Sequence, residues 1–487
     1  MRRSPLAATP AALSIAVSAP AHATPDAVAV LLDADLTAQS QALAAGQIGS
    51  QGLTQALLER IAQRQPELNA YLHIDAIGAL QSAAASDQRR AAGRTLSALD
   101  GLSVAVKDNI DVAGMPTTAG MATRRGRLAS TDAFVVQQLR AAGMVVLGKL
   151  NMHEAALGAT NDNPHYGRCE HPLRRGFTPG GSSGGSACAV AAGLCALALG
   201  TDTMGSVRLP AAYCGVVGFK GSSGVVSTTG SVACGRLLDH IGPLTRSQRD
   251  LAMVWPLMAV YDAACAEARL APTLAPGPTL AQGKSLRFVA AADVHSLGAT
   301  PEVSQAYQRA MAALRALGHT INEISLAGWD FGRARRAGLL VVEADLLVEH
   351  AEDWRSQPHN FSPALTKGLQ WAERQSAAAY AAALRSCGEA HAEVARWWMH
   401  GEVMLLPTTP QTAFEFGAPV PANQADLTSI ANLAGVPAMT VPLPVAAGQL
   451  PIGLQAIAPA GAEALLIGLD LAASCAPELA QITLSRP

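Results

Sequence analysis

The amino-acid sequence predicts an α/β fold built around a central sheet. Apolar residues recur at helical spacing over 50–64, whereas aliphatic residues alternate with other residues over 102–107. A second helical pattern at 134–142 leads through a glycine into a short apolar run at 144–147, and both kinds of signal continue through 216–219. Such alternation is typical of a sheet covered by helices. An apolar content of 49% with 15% charged residues indicates a well-filled globular core.

The first predicted helix is amphipathic. Leu53, Leu57 and Ile61 follow one another at intervals of four residues, so they share one face of a helix over 50–64. Pro66 cannot donate a backbone hydrogen bond inside a helix, and we therefore expect the helix to end before it.

The first predicted strand ends on a lysine. Leu102, Val104 and Val106 alternate with intervening residues, and Asp108-Asn109 stop the pattern. This alternation places Lys107 on the face opposite the three aliphatic side chains.

The second half of the chain carries coarser signals. Residues 271–283 are rich in Pro and Gly and predict a surface connection. Residues of about 300–400 are Ala-rich and predict helices, and 403–406 predict a further apolar strand. Another strand, with a loop rich in Gly and Pro, is expected within 431–457.

The stretch 177–210 is the most informative part of the sequence. Two serine-bearing glycine turns, at 180–186 and 203–206, flank an unbroken Ala/Val/Leu/Cys run. Glycine frees the backbone and exposes its N–H groups, and an apolar run too short to span a membrane must be buried. Serine hydroxyls are therefore expected close to exposed backbone N–H donors and next to a buried apolar element. This arrangement suits acyl transfer.

Two other interpretations of this stretch are less consistent with the sequence. A Gly/Ser-rich segment is most often a flexible linker, but a linker is not bounded by a buried apolar element. Glycine-rich turns before helices also bind phosphate, but no Gly-Lys-Ser/Thr follows these glycines.

The composition argues against several classes of partner. The net charge is −2, so there is no electrostatic case for a nucleic acid or an acidic membrane. Aromatic residues make up 4% of the chain, which argues against a stacking surface for single strands. None of the eight cysteines forms a CxxC motif or has the histidine spacing of a zinc site, and we expect no metal site.

Residues 1–23 predict a signal peptide. Two arginines precede a modest apolar segment that ends in Ala-His-Ala, which favours a periplasmic or secreted protein. Pro10 and Pro20 weaken the apolar segment, and the scattered cysteines suit a cytoplasmic protein, so a cytoplasmic location stays open.

Three motifs in one order closely resemble the amidase signature family. They are Val-Ala-Val-Lys-Asp-Asn around Lys107, Gly-Gly-Ser-Ser-Gly-Gly-Ser at 180–186, and Gly-Thr-Asp-Thr-x-Gly-Ser-Val-Arg at 200–208. Further matches occur at 148–154 and 432–437.

The resemblance implies one large amidase domain over 24–487. Its expected fold is a central mixed, twisted β-sheet covered by helices on both faces. The catalytic core is expected at about 96–250, and a variable helical part at about 255–400 would shape the substrate site.

The resemblance also implies a Ser–Ser–Lys triad. In the family pattern the nucleophile is Ser206, the general base is Lys107, and Ser182 bridges them through a cis peptide bond. A serine hydroxyl needs a base, and a lysine can serve only when burial keeps it neutral. The neighbouring Ser183 is the alternative bridging residue, which the spacing alone does not exclude. Lys149 is the rival lysine, and we interpret it as a structural ion pair or loop anchor.

The expected oxyanion hole consists of backbone N–H groups in the second glycine turn. The candidate donors are Thr203, Met204, Gly205 and Ser206. The family commonly has glycine at position 204, so a positive φ at Met204 would be strained. We expect the Met204 side chain to narrow or line the substrate pocket.

Other residues are assigned supporting roles. Ser183, Asp202 and Arg208 are expected to support the loop, with Asp202 and Arg208 as a structural pair beside the nucleophile. As an alternative, Arg208 would bind a substrate carboxylate. The expected pocket residues are Met152, Met204, His165 and Tyr166.

The implied function is hydrolysis of a linear carboxylic amide to an acid plus ammonia or an amine, through an acyl-enzyme on Ser206. Alternatives are a carbamoyl or urea-type amide hydrolase, an inactive binding protein on the same scaffold, and a glutamyl-tRNA amidotransferase A-type subunit. We expect a small-molecule amide as partner, no cofactor, no metal, no nucleic acid and no membrane. A homodimer is expected at the level of the family.

Overall fold

The computed structural model describes residues 25–270, 285–469 and 471–475. The predicted signal peptide at 1–23 and the predicted connection at 271–283 therefore lie outside the described residues. Within the described ranges, no helix is both long and apolar enough to cross a membrane.

The first half of the chain alternates helices and strands. Up to the first glycine turn, the elements are α1 (Pro25–Asp33), α2 (Leu36–Ala44), α3 (Ser50–Leu68), β1 (Tyr71–Ile74), α4 (Ala76–Ala91), β2 (Ser103–Lys107), α5 (Phe134–Ala141) and β3 (Val145–Leu150). They are followed by α6 (Gly184–Ala191), β4 (Leu197–Asp202), α7 (Arg208–Cys214), β5 (Val217–Lys220), β6 (His240–Thr245) and α8 (Leu251–Met258).

The second half begins with a strand and contains the longest helices. Its first elements are β7 (Arg287–Ala291), α9 (Pro301–Ala316), β8 (Thr320–Ile324), α10 (Phe331–Glu349), α11 (Ala351–Ser356), α12 (Pro363–Glu373) and α13 (Ala377–Trp397). The last are β9 (Val403–Pro407), α14 (Asp426–Leu433), β10 (Ala438–Leu443), β11 (Ile452–Ile457), α15 (Glu463–Gly468) and α16 (Leu471–Ser474).

All eleven described strands belong to one mixed sheet. Their order is β1-β3-β2-β4-β6-β5-β10-β11-β9-β7-β8. Strand β2 runs parallel to both β3 and β4, and β7 runs parallel to both β8 and β9, whereas the other neighbouring pairs are antiparallel. The predicted single α/β domain with a central mixed sheet is thereby confirmed.

Two predicted element boundaries are wrong. Helix α3 continues through Pro66 to Leu68, and Asn69 in the left-handed conformation follows it. A proline this close to the end of a helix removes only one of its last hydrogen bonds, which is why the helix tolerates it. The segment of about 300–400 was expected to be helical, but β8 lies between α9 and α10.

The apolar run between the glycine turns forms two buried elements. Every residue of 184–202 is buried, but the run divides into the short helix α6 and the strand β4. Gly193, with a φ of 68°, lies just after α6 and allows the chain to reverse there. The first serine turn therefore lies at the start of α6, and the second follows the carboxyl end of β4.

Candidate active site

Lys107 is the last residue of β2 and is completely buried. Its Nζ lies 2.7 Å from Ser182 Oγ and 2.7 Å from Thr201 Oγ1. Because β2 and β4 are parallel neighbours, their carboxyl ends meet at one edge and bring Lys107 next to Thr201. The adjacent serine turn then closes over the lysine from the start of α6.

Burial of Lys107 disfavours the positively charged form of its amine. Loss of hydration lowers the pKa of Lys107 from 10.5 to about 7, against the opposing attraction of the Asp239 and Asp202 carboxylates. A substantial fraction of the molecules therefore carries a neutral amine near pH 7. A neutral amine can accept a proton from the hydroxyl that it contacts.

The structure distinguishes the two adjacent serines. Ser182 contacts Lys107, and the peptide bond between Gly181 and Ser182 is cis. The Ser183 hydroxyl instead donates to the Thr201 carbonyl at 3.1 Å and accepts from the Thr201 N–H at 3.2 Å. Ser183 therefore ties the serine turn to β4, and Ser182 is the serine that can exchange a proton with the lysine.

Ser206 lies between β4 and α7 and is partly exposed in a cavity of about 320 Å³. Gly181, beside the bridging serine, lines the same cavity. The Ser183 N–H donates to the Ser206 carbonyl at 3.2 Å, which joins the two serine turns. The turn that contains Ser182, which contacts the buried Lys107, and the turn that contains Ser206 thus lie side by side next to one cavity.

The predicted oxyanion hole needs one correction. The Gly205 N–H donates to Asp202 Oδ1 at 2.7 Å, so this group is already engaged and cannot face a substrate oxygen. Thr203, Met204 and Ser206 remain candidate donors. Gly205 is required for its shape: its φ is 127°, and a Cβ there would lie 2.1 Å from Thr428 Oγ1.

Met204 lines the cavity, as predicted, and is 8% exposed. It is absent from the described residues with positive φ, so the strain considered for this position does not occur. Its carbonyl accepts a hydrogen bond from Thr428 Oγ1 at 2.8 Å. Its Cε would lie 2.9 Å from a Cβ placed on Gly338, so the thioether packs closely against α10.

Asp202 and Arg208 form a buried ion pair beneath the nucleophile turn. Arg208 Nε and Nη2 each donate to a different oxygen of Asp202 at 3.0 Å. The remaining Arg208 donors are taken by Gln455, Asn432 and the carbonyl of Thr428. Burial alone would raise the pKa of Asp202, but the Arg208 guanidinium holds it well below its usual range.

This network explains the shape of the turn. The Asp202 carboxylate accepts hydrogen bonds from the N–H groups of Gly205 and Val207, which bend the chain around it. All five N–H donors of Arg208 are occupied, so the alternative in which Arg208 binds a substrate carboxylate is wrong.

Comparisons with known proteins find relatives over most of the chain. The family model named Amidase matches residues 52–467. The chain belongs to the amidase signature family. The A-type subunit of glutamyl-tRNA(Gln) amidotransferase from Chloroflexus aggregans is 36% identical over 463 residues, which cover 89% of this chain and 94% of that protein.

Solved structures of amide-hydrolysing family members are also similar. The peptide amidase of Stenotrophomonas maltophilia aligns with a TM-score of 0.77 at 29% identity, over 91% of this chain and 96% of that one. A 6-aminohexanoate cyclic dimer hydrolase aligns with a TM-score of 0.80 at 28% identity, over 92% of this chain and 97% of that one.

Lys149, the alternative to Lys107 as general base, has a structural role. Its Nζ lies 3.5 Å from Asp108 Oδ1 and donates to the Pro116 carbonyl at 2.7 Å. It also donates to Thr117 Oγ1 at 3.0 Å. The interpretation of Lys149 as an ion pair and loop anchor is confirmed.

The prediction that Met152, His165 and Tyr166 line the pocket is wrong. None of them lines the cavity that the described residues form. Met152 is completely buried in the core. His165 Nε2 lies 2.8 Å from Glu154 Oε1, and the Tyr166 ring lies 5.4 Å from the Arg125 guanidinium carbon. His165 supports Glu154, which does line the cavity.

Sequence reasoning missed Thr201 and most of the residues that line the cavity. Thr201 lies inside the recognised Gly-Thr-Asp-Thr motif, next to residues that were assigned to the site. The missed lining residues come from several segments, and one set lies on α10, which no local motif marks. Its cavity-lining members are Arg335, Leu339, Val342 and Glu343.

Replacing Asp202 by asparagine should destabilise the protein strongly, because the Arg208 charge would stay buried without its counter-ion. We expect the free energy of unfolding in urea to fall by about 3–5 kcal/mol. Glu323→Gln is the matched control, since the Arg315–Glu323 pair is exposed and should contribute about 1 kcal/mol or less. Equal losses in the two variants would contradict the structural role of Asp202.

Proposed function

We propose that this protein hydrolyses carboxylic amides through an acyl-enzyme on Ser206. One observation carries the proposal: a fully buried Lys107 lies 2.7 Å from Ser182 Oγ, behind the cavity that contains Ser206. Membership of the amidase signature family supports the reaction class.

In the proposed mechanism, neutral Lys107 accepts the Ser182 proton while Ser182 accepts the proton of Ser206. Ser206 Oγ attacks the amide carbonyl, and backbone N–H groups at 203, 204 and 206 stabilise the developing oxyanion. The relay then returns a proton to the amide nitrogen, the C–N bond breaks, and ammonia or an amine leaves. Water, deprotonated through the same relay, hydrolyses the ester on Ser206.

Thr201 positions the base in this mechanism. Its hydroxyl and the Ser182 hydroxyl contact the same Lys107 nitrogen, and its backbone holds Ser183. The lysine is therefore fixed between two oxygens and keeps little freedom to turn away from Ser182.

The A-type amidotransferase subunit is the second candidate, and the names of the sequence relatives favour it over a simple amidase. Relatives with that name are 36% identical over nearly their whole length. The amide-cleaving half of the proposed mechanism would serve either role, because the ammonia released could pass to water or to another acceptor. The absence of a nucleic-acid partner therefore stays a prediction. The homodimer and the signal peptide also stay predictions.

A fluorophosphonate probe should label Ser206 covalently, and Ser206→Ala should abolish the labelling. Ser182→Ala should slow the labelling about 100-fold or more, because the proton relay is lost. In the parent protein the rate should rise with pH through about 7 and then level off, since the neutral form of Lys107 is the active one. Rates are read by mass spectrometry of the intact protein.

Ser186→Ala is the control for this experiment. Ser186 lies in the same glycine turn, but its hydroxyl donates to the Leu199 carbonyl, away from the cavity. It should label at the parent rate. Undiminished labelling of Ser206→Ala, or equal rates in the Ser182 and Ser186 variants, would overturn the proposed mechanism.

Glutamine turnover should separate the two candidates. As an amidase, the purified chain alone is expected to release ammonia from 4-aminobutanamide, which is L-glutamine without its carboxylate, at least as efficiently as from L-glutamine, measured as kcat/KM. A preference for L-glutamine over this analogue of about tenfold or more, equivalent to about 1.4 kcal/mol, would favour the amidotransferase role instead.

A further inference from the structure

Helix α10 forms a wall of the cavity. Arg335, Leu339, Val342 and Glu343 all line it, and their spacing places them on one face of the helix. Arg335 and Glu343 are eight residues apart, which separates their backbones by about 12 Å along the helix axis. Leu339 and Val342 supply an apolar surface between the two charged positions.

The other charged side chains of the cavity wall have partners. Arg335 Nε donates to Asp426 Oδ1 at 2.5 Å. The Glu154 carboxylate lies 2.8 Å from His165 Nε2 and accepts a hydrogen bond from the Ser362 N–H at 3.1 Å. These side chains therefore have hydrogen-bond partners within the fold and need no ligand.

Glu343 differs from them. Its Oε2 is buried and has no hydrogen-bond partner among the residues that the structure describes. Burial raises the pKa of Glu343 to about 7. A carboxylate with one oxygen buried and without a partner is unfavourable, and an incoming positively charged hydrogen-bond donor would stabilise it.

The fold makes room for this carboxylate. Gly368 lies on α12 opposite Glu343, and a Cβ at that position would be 2.8 Å from Glu343 Oε1. Any larger residue at 368 would push the carboxylate away. The carboxylate is therefore seated between α10 and α12 at the cavity wall, within the cavity that holds Ser206.

We infer that Glu343 binds a protonated amino group of the substrate, so that the preferred amides carry a cationic amine separated from the scissile carbonyl by an aliphatic chain. This inference rests on the proposed function and assigns its substrate class. An ammonium group would supply the missing donors to the carboxylate as charge-assisted hydrogen bonds. The chain would lie along the apolar surface of α10 and against Leu365 of α12.

The test compares amides of nearly equal shape and different charge. They are 6-aminohexanamide, its uncharged isostere heptanamide, and the anionic adipic acid monoamide. The parent protein should prefer the cationic over the uncharged amide by about tenfold or more in kcat/KM, the size expected for one charge-assisted hydrogen bond. In Glu343→Gln that ratio should fall to about one, and the relative efficiency on the anionic amide should rise.

The same ratios are measured as dissociation constants on Ser206→Ala and on Ser206→Ala/Glu343→Gln, by calorimetry. These binding data test the inference even if the protein turns over no amide, an outcome that would defeat the proposed function alone. Glu352→Gln is the control, because Glu352 is exposed on α11 and does not line the cavity, so it should leave every ratio unchanged.

A second arm distinguishes an ω-amino amide from an α-amino amide. L-Glutamine is compared with 4-carbamoylbutanoate, which lacks only the amino group, and loss of that preference in Glu343→Gln would assign the α-amino group to Glu343. If neither pair shows a preference for the cation, or if Glu343→Gln lowers the affinity for all ligands equally, Glu343 does not recognise an amine and the inference is wrong.

Discussion

The site depends on a lysine amine kept out of water and held between two hydroxyls. Lys107 has lost its hydration, and its nitrogen contacts Ser182 and Thr201 at 2.7 Å each. Lowering its pKa from 10.5 to about 7 corresponds to roughly 5 kcal/mol of disfavoured charge. Because the unfolded chain binds this proton and the folded one releases it, the contribution of Lys107 to stability falls as the pH decreases from about 10.5 to 7.

The surrounding fold makes that arrangement rigid. Parallel pairing of β2 with β4 places the lysine beside Thr201, and Ser183 fastens the bridging serine's turn to the same strand. Next to Ser206, the Asp202 carboxylate accepts hydrogen bonds from backbone N–H groups of the turn. Arg208 links this turn to α14 through Asn432 and to β11 through Gln455. The proposed nucleophile and the proposed base are thus positioned by elements far apart in sequence that meet at one edge of the sheet.

The sequence predicted the parts of the site that local motifs encode, and it did less well where distant segments meet. Lys107, Ser182 and Ser206 follow from three motifs, but the choice between Ser182 and Ser183 needed the contacts of each hydroxyl. Gly205 was assigned to the oxyanion hole because its N–H lies in the right turn, and only the structure shows that Asp202 takes it.

The sequence did not predict that α10 lines the cavity, and it did not predict strand β8. In both cases the information lies in contacts between distant segments or in weak local patterns. Helix α10 is more than a hundred residues from Ser206 in sequence but lines the same cavity. Helical spacing shows which residues share a face of the helix, but not which part of the protein that face contacts. Strand β8 was missed because edge strands of a sheet are short and carry mixed residues, here Thr-Ile-Asn-Glu-Ile. The buried and mostly apolar strands β2, β3 and β9 were correctly predicted, whereas the central strands β4 and β6 were not recognised as strands.

The most direct test is a titration of the Lys107 ε-amine by NMR in protein labelled on lysine. The chain has five lysines, so the signal that disappears in Lys107→Arg identifies the residue. The account predicts a midpoint at about pH 7. A midpoint near the ordinary value of 10.5 would mean that Lys107 stays charged at neutral pH, and it could not then act as the base.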